Sequence, residues 1–106
     1  MVSMKDIRAV GRRIGKEFRP RRVILFGSHA HGTAAEDSDV DLLVVMPFDG
    51  RSVDKSVEIS LKIHPKFPAD ILVRTPGMIR RRIAMGDCFM KEILTNGKVI
   101  YEEHHD

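Results

Sequence analysis

The chain has 106 residues, 42% of them hydrophobic and 31% charged, so it is long enough for one domain (residues 1–106) with a modest core and too apolar to be disordered throughout. Its 18 Lys and Arg against 15 Asp and Glu leave a net charge of +3, which permits an anionic ligand without marking a nucleic-acid binder. Cys88 is the single cysteine, which excludes an intrachain disulfide and a cysteine-based zinc site; no apolar run reaches the roughly 18 residues of a membrane span, and Met1 to Lys5 lacks the layout of a signal peptide, so a cytoplasmic protein without membrane contact is expected.

Ser3 followed by Asp6 has the spacing of a capping box, with Asp in place of Glu. Ile7, Val10, Ile14 and Phe18 then recur at helical spacing, which predicts a helix from about Met4 to Phe18, ended by Pro20. Arg22 to Phe26 (RVILF) reads as a short strand stopped by Gly27. Gly27 to Asp37, rich in Gly, Ser, His and Ala, reads as a loop with room for one helical turn. Val40 to Met46 (VDLLVVM) is a second strand, stopped by Pro47; its apolar run is nearly continuous, so both of its faces should be covered. Asp49-Gly50 marks a turn. Val53, Val57 and Leu61, four apart, define a helix from about Ser52 to His64, closed by Pro65 and Pro68. Ala69 to Arg74 is a third strand, and Thr75-Pro76 is an N-cap followed by a proline in the first helical position. Gly77 to Thr95 is helical and open to a break at Gly86, where Asp87 can cap a new start; Asn96-Gly97 ends it. Lys98 to Glu102 is a last short strand, and the tail His104 to Asp106 is expected to fray. Helices alternating with strands predict an α/β (α+β) layer: a small mixed β-sheet flanked by helices.

Chemistry concentrates between Phe26 and Val45, FGSHAHGTAAEDSDVDLLVV. Gly27 and Ser28 leave a strand end and enter a turn that can aim N–H groups and a hydroxyl at an anion. Asp39 and Asp41 are two apart at a strand, so both carboxylates project from one face with Cα atoms about 6.6 Å apart. Asp70 opens another strand that could lie beside the second. Carboxylates gathered on one patch repel each other unless a cation neutralises them, and hard oxygen ligands beside a phosphate-binding turn suit Mg²⁺. Two such ions can clamp the attacking and leaving oxygens of an in-line displacement, so the residues read as a metal-dependent phosphoryl or nucleotidyl transfer site. Alone, a Gly-Ser is usually a turn and an Asp-x-Asp usually exposed charge; Gly27-Ser28, Gly32 and Ser38-Asp39-Val40-Asp41 in this order are far more restrictive.

LFGSHAHG followed by SDVDLLV resembles the minimal nucleotidyltransferases (MNT proteins) of the polymerase-beta-like superfamily, whose pattern is a strand, Gly-Ser, a small-residue turn, and Asp-x-Asp on the next strand. The resemblance continues through ADILVRTP, where Asp70 matches a third carboxylate, and KEILTNGKVIYE, so it spans about Arg21 to Glu102. It implies a polymerase-beta-like palm that binds ATP with two Mg²⁺. Gly27, Ser28, His29, Gly32 and Ser38 would line the nucleotide. Asp39 and Asp41 would bind the metals, and Asp70 the catalytic metal and the acceptor. It further implies transfer of AMP to a protein hydroxyl, a tyrosine of a helical HEPN-type toxin that the chain would counter as an antitoxin. One departure stands in the turn: His29 and His31 occupy places where the family often has Arg, which makes phosphate contact there conditional on pH.

Other residues take plainer readings: His64 a helix cap, Arg80 to Arg82 a solvated helix face, Cys88 a small hydrophobe, the methionines core filler. No GxGxxG and no GxxxxGK[ST] occurs, which removes dinucleotide and P-loop readings. The rivals are a catalytically weak subunit that neutralises a toxin by contact, and a nucleotidyltransferase acting on RNA. The clustered carboxylates count against the first; the absence of an aromatic-rich basic strand pattern counts against the second, and no direct nucleic-acid contact is expected.

Overall fold

The structure is a computed structural model that describes residues 2–104; His105 and Asp106, in the tail expected to fray, lie outside them. The elements are α1 (Met4–Phe18), β1 (Arg22–Phe26), α2 (Ser28–His31), β2 (Val40–Val45), α3 (Ser52–Ile63), β3 (Ala69–Arg74), α4 (Pro76–Ala84), α5 (Cys88–Asn96) and β4 (Lys98–Glu102). The strands form one mixed sheet in the order β3-β2-β1-β4, with β1 antiparallel to β2 and β4, and β2 parallel to β3.

Strand alternation divides the core in two. Leu25, Leu42, Val44 and Val73 face α1 and α3, where they meet Ile7, Ile14, Ile59 and Ile63. Ile24, Phe26, Leu43 and Val45 face the other way, against Ile79 of α4 and Met90 and Ile93 of α5. The continuous apolar run of β2 is thus buried on both faces, as its composition predicts.

The helix ends follow from the capping residues. Ser3 Oγ accepts a hydrogen bond from the Asp6 amide (3.1 Å) and Thr75 Oγ1 one from Met78 (3.1 Å), while Pro76 takes the first turn of α4. α1 carries glycines because β4 presses on it: a Cβ at Gly11 would come within 2.7 Å of Ile100 Cδ1, and one at Gly15 would overlap the Tyr101 ring. The helix predicted from Gly77 to Thr95 is two helices, parted at Gly86 (φ 82°) and restarted by Asp87, whose side chain accepts from the Met90 amide (3.0 Å).

Three expectations are corrected. The stripe Val53, Val57 and Leu61 is exposed (57%, 52% and 65%) and is not the packed face of α3. That helix lies on β3 through Ile59, Ile63 and Ser56, whose hydroxyl donates to the Ile71 carbonyl, because the small serine lets the helix sit close to the strand. Cys88, expected as a small hydrophobe, is exposed in the first turn of α5. Of the methionines, Met46 and Met90 fill the core, whereas Met85 is 76% exposed.

Candidate functional site

Antiparallel β1–β2 pairing and parallel β2–β3 pairing bring the C-terminal end of β1 and the N-terminal ends of β2 and β3 to one edge of the sheet. Phe26 stands opposite Asp41, and Asp41 opposite Asp70, so the last residue of β1 and two carboxylates form one row across three strands. Asp41 lies two residues before Leu43 and Asp70 two before Leu72, so both project from the α4–α5 face. Asp39 stands one residue ahead of β2, exposed, within electrostatic reach of Asp41.

Asp41 is the half-buried member, and its carboxyl is pushed above the ordinary carboxylate range. Burial is the main cause; the negative charges of Asp70 and Asp39 add to it, and His29 pulls the other way. The chain has therefore gathered negative charge that it does not itself neutralise. Among the described residues no three His, Cys, Asp or Glu side chains close on a common point as a metal cage. An open row of hard oxygen donors fits Mg²⁺ nonetheless, since that ion keeps several waters and binds through one or two carboxylates plus substrate phosphates.

The turn after β1 is shaped around the same carboxylate. Gly27 has φ 75° and ψ −156°, and a Cβ there would overlap Asp41 Oδ2, so both conformation and space demand glycine. Ser28 opens α2, half-buried beside it. The His29 ring is tied through Nε2 to the Ser38 carbonyl (3.1 Å), which pins α2 to the approach to β2. Ser38 Oγ accepts from the Ala35 amide (2.9 Å), and Gly32 (φ 73°) caps α2 in the left-handed region. His31 is exposed and lies 4.0 Å from Glu92 of α5. The structure thus gathers Gly27, Ser28, His29, Asp39, Asp41 and Asp70 at one edge, while Gly32 and the Ser38 side chain are engaged in building the loop.

Sequence reasoning missed the wall beside this row. Phe89 of α5 meets Phe26 edge-on, with ring centroids 5.7 Å apart and planes at 80°, yet stays 55% exposed. It borders a cleft of about 500 Å3 between β3 and the α4–α5 pair, where Arg81 and Arg82 of the basic run also stand. A lone Phe on an amphipathic helix reads as core, so only the fold could show it.

The chain belongs to the nucleotidyltransferase domain family: the pattern described as "Nucleotidyltransferase domain" matches residues 7–101. A protein of Methanocaldococcus jannaschii named "putative protein adenylyltransferase" is 31% identical over 85 residues, 78% of this chain and 80% of that protein. Two solved structures share the fold. One is described as a "putative nucleotidyltransferase" from Sulfolobus solfataricus (TM-score 0.65, 18% identity, 93% of this chain and 79% of that one). The other is described as a "toxin-antitoxin with AMP-PNP" (TM-score 0.62, 18% identity, 97% of this chain and 76% of that one). The protein is a nucleotidyltransferase built on a mixed four-stranded sheet flanked by helices. No helix among the described residues is long and apolar enough to cross a membrane.

Proposed function

We propose that this nucleotidyltransferase moves AMP from ATP to a protein hydroxyl in an Mg²⁺-dependent reaction, and that the acceptor is a tyrosine of a HEPN-type toxin which the chain counters as a cytoplasmic antitoxin. The observation that carries the reading is the row of Phe26, Asp41 and Asp70 across three strands, with Gly27 set against Asp41. The relative's name points to protein as acceptor, and the toxin–antitoxin neighbour crystallised with AMP-PNP shares the fold that presents this row.

Gly27 and Ser28 hold the terminal phosphates, and His29, Gly32 and Ser38 keep that turn in place. Asp39, Asp41 and Asp70 would hold two Mg²⁺, which when bound neutralise the carboxylates and polarise phosphoryl oxygens. Asp70 stands farthest from the turn, on the side from which an acceptor must attack if pyrophosphate leaves toward Gly27 and Ser28. It orients the hydroxyl and takes its proton; the new O–P bond forms at the α-phosphate as the bond to pyrophosphate breaks.

Asp70→Asn keeps shape and removes charge, so it tests the assignment. ATP affinity by calorimetry should stay near wild type, while AMP transfer to a co-expressed helical partner, read as a mass shift, should fall by about 10²–10⁴-fold. Transfer at near wild-type rate would remove Asp70 from the reaction. A partner that binds wild type tightly and is never modified would leave neutralisation by contact as the function.

A further inference from the structure

The carboxylate row continues into the cleft beside it. Leu72, two residues after Asp70 on the same face of β3, forms part of the cleft's floor, so the two are joined along one strand. Phe89, Met85 and Met78 supply apolar walls, and Arg81 and Arg82 stand at them. Arg82 has a fixed place: its Nε donates to Asp87 Oδ2 (3.0 Å), while Oδ1 of the same carboxylate caps α5. Phe89 and Met85 are large apolar side chains that folding leaves 55% and 76% exposed. The Phe89 ring is braced edge-on by Phe26, which is the strand partner of Asp41. An aromatic surface is therefore held beside the carboxylates, within reach of a nucleotide whose α-phosphate sits at Asp41.

We infer that this cleft is the nucleoside subsite, in which a purine base stacks on Phe89 between Met85 and Leu72 while the phosphates lie at Gly27 and Asp41. The inference rests on the triphosphate site proposed above and adds the residues that hold the rest of the substrate. The chemistry matches on three counts. A base presents a flat π-face, and stacking on an exposed aromatic ring needs no exact hydrogen-bond partner. Thioethers are soft and unbranched, and adapt to the edges of a flat ring. A cleft of about 500 Å3 lies within the range of small-molecule sites, and the guanidinium groups of Arg74, Arg81 and Arg82 in its lining can donate to ring nitrogens, carbonyl oxygens or ribose hydroxyls. A second cleft, about 570 Å3 and lined by Asp6, Arg13 and Lys66, lies on the α1 side of the sheet, the face opposite to the one from which Asp41 and Asp70 project.

The test compares Mg²⁺-ATP with Mg²⁺-tripolyphosphate, which has the phosphates and no nucleoside, by calorimetry on the whole chain. Phe89→Ala should weaken ATP by roughly 10-fold to 100-fold and leave tripolyphosphate unchanged, and Phe89→Trp should restore ATP affinity. In the wild-type protein, ATP should slow peroxide oxidation of the exposed Met85, read by mass spectrometry, and tripolyphosphate should not. That second measurement needs no variant, so it stands even if Phe89→Ala folds poorly. Equal weakening of both ligands, or no protection of Met85 by ATP, overturns the inference. So does intact ATP binding by Phe89→Ala with impaired transfer, which would give the cleft to the acceptor. If wild type binds neither ligand, the triphosphate site fails and the subsite with it; if it binds tripolyphosphate and ATP alike and Phe89 has no effect, only the subsite fails.

Discussion

At Asp41, stability and the proposed function pull in opposite directions. Its carboxyl is partly withdrawn from water, faces Asp70 and Asp39, and presses on the one turn that only glycine can make. A carboxyl pushed above its ordinary range binds its proton more tightly folded than unfolded, so the folded protein is penalised once the group ionises. The penalty is absent well below the ordinary carboxylate range, grows as pH rises through the raised value, and is complete above it. Asp41→Asn is therefore expected to melt above wild type at neutral pH without nucleotide, with the gap closing in mild acid; thermal melts across a pH series check both. A variant that melts lower at neutral pH would mean that the carboxylate stabilises the turn. Their spacing and chemistry in the sequence group Gly27 with Asp41 as an expected site. The sequence could not show that they touch, because that contact depends on the pairing of Phe26 with Asp41 across β1 and β2.

Among the elements, legibility followed the locality of the signal. The starts of α1 and α4, the break at Gly86 and the restart at Asp87 were all readable, because a cap is a contact within three residues. Which face of α3 packs was not readable: the valine stripe has the right period, and only the approach of β3 decides for Ser56, Ile59 and Ile63. The end of α5 fell between the two. Gly97 stops the helix, but with φ −70° it is not left-handed; a Cβ there would overlap the Ile93 carbonyl and come within 2.6 Å of Ile24. Asp87 is held below the ordinary carboxylate range first by the hydrogen bond from the Met90 amide and further by Arg82, so the cap of α5 and the tie to α4 draw on one carboxylate. Thr75→Ala removes the hydroxyl that caps α4 and leaves Pro76 to preset the first turn. It should cost about 1 kcal/mol, and so lower the melting temperature by roughly 4–8 °C. Chemical denaturation gives the free energy directly, and an unchanged midpoint would mean that packing of Ile79 alone sets the helix start.

For the whole molecule, the sheet order β3-β2-β1-β4 is what makes a site from scattered residues. Gly27 and Asp70 are far apart in sequence and are joined only through β2 between them. The sequence allowed β3 to lie beside β2; parallel pairing in this register is what sets Asp70 directly opposite Asp41. A site that sets like charges from the ends of β2 and β3 beside the turn after β1 should hold the fold back when empty and hold it together when filled. Under the proposed function Mg²⁺-ATP binds only the native arrangement, so at about 100-fold over its dissociation constant it should stabilise by roughly 2.7 kcal/mol, which for a chain of this size means a rise in melting temperature on the order of 10 °C. Mg²⁺ alone should do much less, because the open row lacks the phosphate oxygens that complete the coordination. Asp39→Asn with Asp41→Asn should abolish the rise on adding Mg²⁺-ATP while melting above wild type in its absence. The two signs together exclude simple damage to the fold, which would lower the melting temperature in both conditions. A full shift retained by the double variant would show that the nucleotide binds without these carboxylates. The site would then have to be sought elsewhere on the sheet.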